Sequence, residues 1–239
     1  MSTIIATNYH FTHSSYEQTI LLTMASKNPR VTVLISGSGT NLQALIDASD
    51  NGTLPATIVR VISNKKDAYG LQRAVKTNIP TLYHNIIAGG YRKKYGKDSP
   101  QEREEYDKDL AAKILEDKPD LVVCAGWMHI LSTQFLTPLE KANLPIINLH
   151  PALPGAYDGA GAIDRAHKDF MDGKIENMGI MIHYVIREVD RGQPIVVKEI
   201  PLEHPRDDDL HALEERVHKV EHVAIVEGTN IAIERLQKE

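Results

Sequence analysis

Short apolar runs rich in β-branched residues, each followed by a stretch with helical spacing, constrain this chain more than any other feature. RVTVLIS starts at Arg30, TIVRVIS at Thr57, DLVVCAG at Asp120 and LPIINL at Leu144. Runs of this kind read as buried strands. Among them lie TNLQALIDAS, with Leu42, Leu45 and Ile46 on one helical face, then DAYGLQRAVKTN, then PQEREEYDKDLAAKILEDK with Pro100 near its start, and STQFLTPLEKA. IPTLYH adds a short third strand, and Gly161 to Asp172 a further helix. MGIMIHYVIRE and QPIVVKEIPL read as two strands joined by a turn at Asp190-Arg191-Gly192. A long closing helix runs from Asp207 to Gln237, with a break expected near Gly228, and Asn85 to Ser99 is expected to be a polar, exposed insertion. Strands alternating with helices predict an α/β fold with seven strands in a mostly parallel sheet flanked by helices.

The 239 residues suffice for one sizeable core and carry no repeat or convincing linker, so residues 30–239 are expected to form a single domain. Residues 1–29 are poorly patterned and read as an extension without regular order; Met24 is an alternative start. No basic residue precedes Lys27, which makes a poor targeting signal. A net charge of −5 argues against a nucleic-acid or anionic-membrane binder. The single cysteine, Cys124, leaves no internal disulfide and suits a reducing, cytoplasmic setting. No apolar run is long enough to span a membrane.

Two motifs point to chemistry. SGSGTN sits between a strand and a helix, where backbone amides and the helix N-terminus can hold an anion. It is neither a dinucleotide fingerprint, since Leu42 stands where a third glycine belongs, nor a P-loop, since it lacks lysine. A tight turn capped by Thr40 is the plain alternative. The second motif is INLHPALPG. Asn148 and His150 emerge on one side of a central strand at its carboxyl end, where open α/β sheets place their ligand crevice. An amide there can stabilise an oxyanion and an imidazole can move a proton; the bland alternative is a satisfied core histidine. Asp190 is a candidate partner for the histidine. His218-Lys219-Val220-Glu221-His222 matches an inverted zinc-protease pattern, but a third ligand is wanting nearby, and a polar helix face is the preferred reading.

RVTVLISGSGTNLQALIDA, VISNKKDAYGLQRA, PDLVVCAGWMHILS, INLHPALPG, EVDRGQPIV and ERVHKVEHVAIVE together resemble the phosphoribosylglycinamide formyltransferase family of folate-dependent formyltransferases, from about Arg30 onward. The resemblance implies a Rossmann-like seven-stranded sheet. It implies formyl transfer from 10-formyltetrahydrofolate, a co-substrate, to the amine of 5-phosphoribosylglycinamide in purine synthesis. Asn148, His150 and Asp190 match the family's catalytic trio, with His150 as acid and base, Asn148 on the oxyanion and Asp190 raising the His150 pKa. Gly39, Thr40 and Asn41 match its phosphate loop, and Glu221 a residue on the ribosyl substrate. Met128, His129, Ile130 and Leu131 match its folate wall, together with Asn148 and the run Ile186, Arg187, Glu188, Val189 and Asp190; Arg103 matches a position near the folate tail.

The resemblance calls for no metal, nucleic acid or membrane, and is compatible with a monomer or homodimer. Two departures touch the pocket rim. His150-Pro151-Ala152-Leu153-Pro154-Gly155 stands where many members read His-Pro-Ser-Leu-Leu-Pro, one residue longer before the proline, and His129 stands where arginine is common. The rivals are a methionyl-tRNA formyltransferase, expected to add a basic C-terminal domain, and a formyltetrahydrofolate hydrolase, expected to add an N-terminal regulatory domain. From another class, the rival is a non-catalytic binder of phosphoribosyl ligands.

Overall fold

The computed structural model describes residues 28–238, so the expected extension falls outside the described residues except for Asn28 and Pro29. Seven strands form one sheet: β1 (Arg30–Ile35), β2 (Thr57–Ser63), β3 (Thr81–Tyr83), β4 (Leu121–Cys124), β5 (Ile146–His150), β6 (Asn177–Tyr184) and β7 (Pro194–Pro201). Their order is β3-β2-β1-β4-β5-β6-β7. The first five run parallel, and β6 and β7 close that edge antiparallel. The helices are α1 (Thr40–Asp50), α2 (Tyr69–Lys76), α3 (Tyr91–Tyr95), α4 (Pro100–Glu116), α5 (Thr133–Lys141), α6 (Ala162–Met171) and α7 (Leu210–Leu236). No helix among the described residues is long and apolar enough to cross a membrane.

The sheet is doubly covered because its strands are apolar on both faces. Along β1, Val31, Val33 and Ile35 join a core cluster with Leu42 and Leu45 of α1 and Val217 and Ala224 of α7. Leu34, between them, joins the opposite cluster with Leu110 and Ile114 of α4 and Phe135 and Leu139 of α5. Helix starts follow local chemistry. The Ser99 hydroxyl accepts the Glu102 amide at 3.1 Å and Pro100 opens α4. Asp209 caps α7 by accepting the Ala212 amide at 2.8 Å.

Three expectations are corrected. The closing helix is unbroken at Gly228, because the residue serves packing: a Cβ there would lie 2.6 Å from Ile182 Cγ2 of β6. Residues 85–99 are not a plain exposed loop. They hold α3, whose Tyr91 sits edge-on to the rings of His84 and Tyr106 and donates its hydroxyl to Asp109 at 2.6 Å. The β6–β7 connection is no tight turn, since β6 stops at Tyr184 and residues 185–193 loop back across its end. Gly192 permits that crossing: a Cβ on it would sit 1.6 Å from the Tyr184 carbonyl oxygen.

Candidate functional site

The chain reverses its winding direction between β1 and β4, and the carboxyl ends of β1, β4 and β5 open onto a cavity of about 510 Å³. Such a switch point is where open α/β sheets bind ligands. Every site residue expected from the sequence lines this cavity except Arg103. The Arg103 guanidinium is committed behind the wall, donating to the Ile130 carbonyl and, at 3.1 Å, to Asp107. Asp107 also accepts the Ser132 amide at 2.9 Å, so the pair braces the 128–131 segment from the rear.

The glycine loop follows β1. Gly39 has φ +70°, and a Cβ on it would meet the Gly70 Cα at 2.6 Å, so only glycine fits there without strain. No side chain caps this end of α1, among the described residues, which leaves its first amides facing the cavity. From outside, Arg73 donates to the Ser38 carbonyl at 2.9 Å. Asn41 turns inward, and its amide nitrogen donates to the Glu221 carboxylate of α7 at 2.9 Å. Burial pushes the Glu221 carboxyl above its ordinary pKa, against the Asn41 bond, which lowers it.

At the end of β5, alternation puts Asn148 and His150 on one side of the strand. The antiparallel register sets His183 of β6 directly opposite Asn148. The Asn148 amide nitrogen lies 3.2 Å from His183 Nε2 and 3.4 Å from Asp190 Oδ1. That orientation is fixed by charge: a flipped amide would aim its oxygen at the carboxylate. His183 Nδ1 lies 2.9 Å from the Tyr184 carbonyl, which can only accept. Its Nδ1 therefore carries a proton, and in the neutral tautomer Nε2 is an acceptor for Asn148.

Asp190 holds a left-handed backbone, φ +55°. Its Oδ2 accepts the Gly159 amide at 2.8 Å and lies 3.5 Å from His150 Nδ1. The other imidazole nitrogen, Nε2, stands 3.3 Å from the Ala156 carbonyl. Burial pushes the Asp190 carboxyl up, but the neighbouring His183 ring, the Gly159 amide and His150 outweigh it, and the group stays below its ordinary value. For His150 burial dominates. Burial lowers its pKa by more than Asp190 and the Ala156 carbonyl raise it, so the net shift is downward. Asp190 does favour the imidazolium; desolvation wins.

The remaining wall is apolar. Met128, Ile130 and Ile186 are exposed large apolar side chains at the cavity, suited to a flat ring system. His129 packs edge-on to Tyr106 and Trp127, and burial pushes its pKa down. Three basic lining residues were not anticipated as site residues: Lys65 beyond β2, His183, and His218 one turn before Glu221. His218 was visible in the sequence only as part of the zinc-like pattern. Lys65 had a signal in that SNKKD follows its strand as SGSGTN follows β1.

A glycine loop, a polar cluster at a central strand end and an apolar wall in one switch-point crevice define an α/β enzyme of the open-sheet type. A family model described as formyl transferase matches residues 29–229. The phosphoribosylglycinamide formyltransferase of Schizosaccharomyces pombe is 52% identical over 198 residues, covering 82% of this chain and 93% of that protein. The Saccharomyces cerevisiae protein of the same name is 47% identical over 217 residues, covering 87% and 99%. Among solved structures, glycinamide ribonucleotide transformylase 1 from Symbiobacterium toebii aligns with a TM-score of 0.71 at 31% identity, over 84% of this chain and 86% of that one. The chain belongs to the formyl transferase family.

Proposed function

We propose that this enzyme transfers the formyl group of 10-formyltetrahydrofolate to the amine of 5-phosphoribosylglycinamide, a step of de novo purine synthesis. The observation that carries the reading is the meeting of Asn148, His150 and Asp190 in one cavity with the uncapped glycine loop and an exposed apolar wall. The relatives that match over nearly their whole length bear the name of this activity.

The residues divide the work by chemistry. Amides of Gly39, Thr40 and Asn41 receive the phosphate at the α1 N-terminus, and Glu221 accepts hydrogen bonds from the ribosyl hydroxyls. Met128, Ile130, Leu131 and the 186–190 loop hold the folate ring. The substrate amine attacks the formyl carbon, and negative charge grows on the formyl oxygen. Asn148 turns one amide hydrogen from Asp190 or His183 to that oxygen. His150, neutral at rest, takes the proton that the attacking nitrogen must lose and returns it to the departing folate nitrogen. Asp190 stabilises the imidazolium while it exists.

The test is an assay of the full chain with glycinamide ribonucleotide and 10-formyldideazafolate, following release of the deformylated folate. Turnover should require both substrates and fall on the order of 10²-fold or more in His150→Ala. Equal donor loss without the ribonucleotide would mean a hydrolase. Tight ribonucleotide binding with no turnover would mean a binding protein.

A further inference from the structure

The loop between β5 and α6 touches both members of the proposed proton pair. The Ala156 carbonyl faces His150 Nε2 at 3.3 Å, and the Gly159 amide donates to Asp190 Oδ2 at 2.8 Å. Little in the loop's own backbone holds it: Gly155, Tyr157, Gly159 and Gly161 all have positive φ, a sequence of conformations costly for Tyr157 in particular. The Tyr157 hydroxyl anchors it to Asp169 of α6 at 2.9 Å, and two arginines hold its backbone. Arg165 of α6 reaches back: its Nη2 shares two N–H groups among the carbonyls of Tyr157 at 2.5 Å, Asp158 at 2.9 Å and Ala160 at 2.9 Å, and its Nε donates to the Gly161 carbonyl at 3.3 Å. Arg191, next to Asp190, grips the Asp158 carboxylate through Nε at 2.7 Å and its terminal nitrogen at 2.6 Å. Thus Asp158–Arg191 and Gly159–Asp190 are adjacent rungs between two loops. One rung is an exposed ion pair, and the other carries the chemistry.

We propose that Arg165 and Arg191 are positioning residues for the formyl transfer: Arg165 sets the shape of residues 157–161, Arg191 pins that shape to the 185–193 loop, and together they present Ala156 and Gly159 to His150 and Asp190. The proposal rests on the functional reading above. A guanidinium suits the Arg165 role because one rigid plane places Nη2 on the three clustered carbonyls and Nε on Gly161 at the same time, whereas an ammonium offers a single nitrogen. The titratable and charged groups facing His150 are Asp190, His183 of β6 and Asp158. Burial is the largest influence on His150, so a loosened loop that admits water moves its titration upward.

The test uses the full chain with Arg165→Ala, Arg165→Lys and Arg191→Ala. Three readings are taken: steady-state kinetics across pH, His150 imidazole titration by NMR without ligands, and thermal melting. Arg165→Ala should lower kcat by ~10- to 100-fold, the scale of a misplacement near 1 Å. KM for either substrate should change much less, and the imidazole titration should move up. Arg165→Lys should recover only part of kcat, and Arg191→Ala should show a smaller loss of the same kind. If Arg165→Ala keeps both kcat and the His150 titration, the proposal is wrong. It is equally wrong if kcat falls only in step with lost folded protein while the titration of the folded fraction stays put. Should the parent chain transfer no formyl group, the functional reading fails, and the titration alone decides what the arginines do.

Discussion

Replacing Asp190 by asparagine separates the charge of this group from its shape. The carboxylate lies 3.5 Å from His150 Nδ1, and both side chains are largely buried. An opposite charge at that range is worth about 1–3 pKa units to an imidazole. Two units correspond to about 2.7 kcal/mol, or about 10²-fold in rate if the imidazolium forms in the transition state. The sign is definite. Asp190 favours protonated His150, so its loss lowers the His150 pKa below its already depressed value. As His150 must be neutral to accept a proton, the acid limb of kcat/KM should move to lower pH while the plateau falls. The geometry adds a second effect. If the new amide oxygen keeps the Gly159 bond, its nitrogen occupies the Oδ1 place, 3.4 Å from the Asn148 donor. Two donors then face each other, and Asn148 must turn. The assay is a pH–rate profile for the parent, Asp190→Asn, His150→Ala and the double variant, with imidazole titration by NMR. Because the pair acts as a unit, the double variant should be far less than multiplicatively worse. Fully multiplicative losses, with an acid limb that stays in place, would falsify the partnership.

Gly39→Val should weaken ribonucleotide binding on the order of tenfold or more, since a left-handed non-glycine residue costs about 1–2 kcal/mol and the new Cβ must also push away Gly70. Folate affinity should hold; calorimetry showing the reverse loss would mean that the two pockets have been exchanged. Glu221→Gln should stabilise the fold while raising KM for the ribonucleotide. It removes a buried charge, and its amide can both accept from Asn41 Nδ2 and donate to Asn41 Oδ1, which has no partner among the described residues. A gain near 1 kcal/mol would raise Tm by about 2–4 °C; a fall in Tm would show that the ionised carboxylate is itself stabilising. The pH sign agrees: the folded carboxyl pKa is raised, so Glu221 weakens the fold above that pKa, and the Tm difference should shrink as pH falls through it.

The central strands were readable because burial on both faces makes them continuous apolar runs, and a polar residue ending such a run stands out. That is how Asn148 and His150 emerge from LPIINLH. His183 was hidden by the same logic. It ends a run of core residues and has no local polar companion; its partner Asn148 is 35 positions away, set by antiparallel register that one sequence does not display. Residues 185–188 read as strand because Val185 and Ile186 extend the apolar pattern, while the Gly192 crossing that ends the strand is a tertiary contact. The place of Arg103 near the folate tail rests on resemblance alone. Its spacing to Asp107, four residues along one helix, already offered another partner. Similarly, the aromatic anchor of residues 85–99 joins Tyr91 to His84 and Tyr106, a meeting that only the folded chain creates.

His150 is poised by opposition between its surroundings. Both imidazole nitrogens face oxygen acceptors, the Asp190 carboxylate at 3.5 Å and the Ala156 carbonyl at 3.3 Å. A neutral ring can donate to only one of them, whereas the imidazolium can donate to both. Left to the hydrogen bonds, the ring would hold its second proton. Both contacts are longer than an ordinary N–H···O bond, so neither is at full strength. Burial therefore prevails and shifts the ring toward its neutral form. In the proposed transfer, a proton passed from the attacking amine to the ring would meet two acceptors already in place, with no solvent to reorganise. Shorter contacts would make the imidazolium permanent and spoil the base; an apolar loop would make the cation too costly to form. A group that must first take and then return a proton works best between those limits, and the 3.5 Å and 3.3 Å contacts of His150 suit the acid–base role proposed for it.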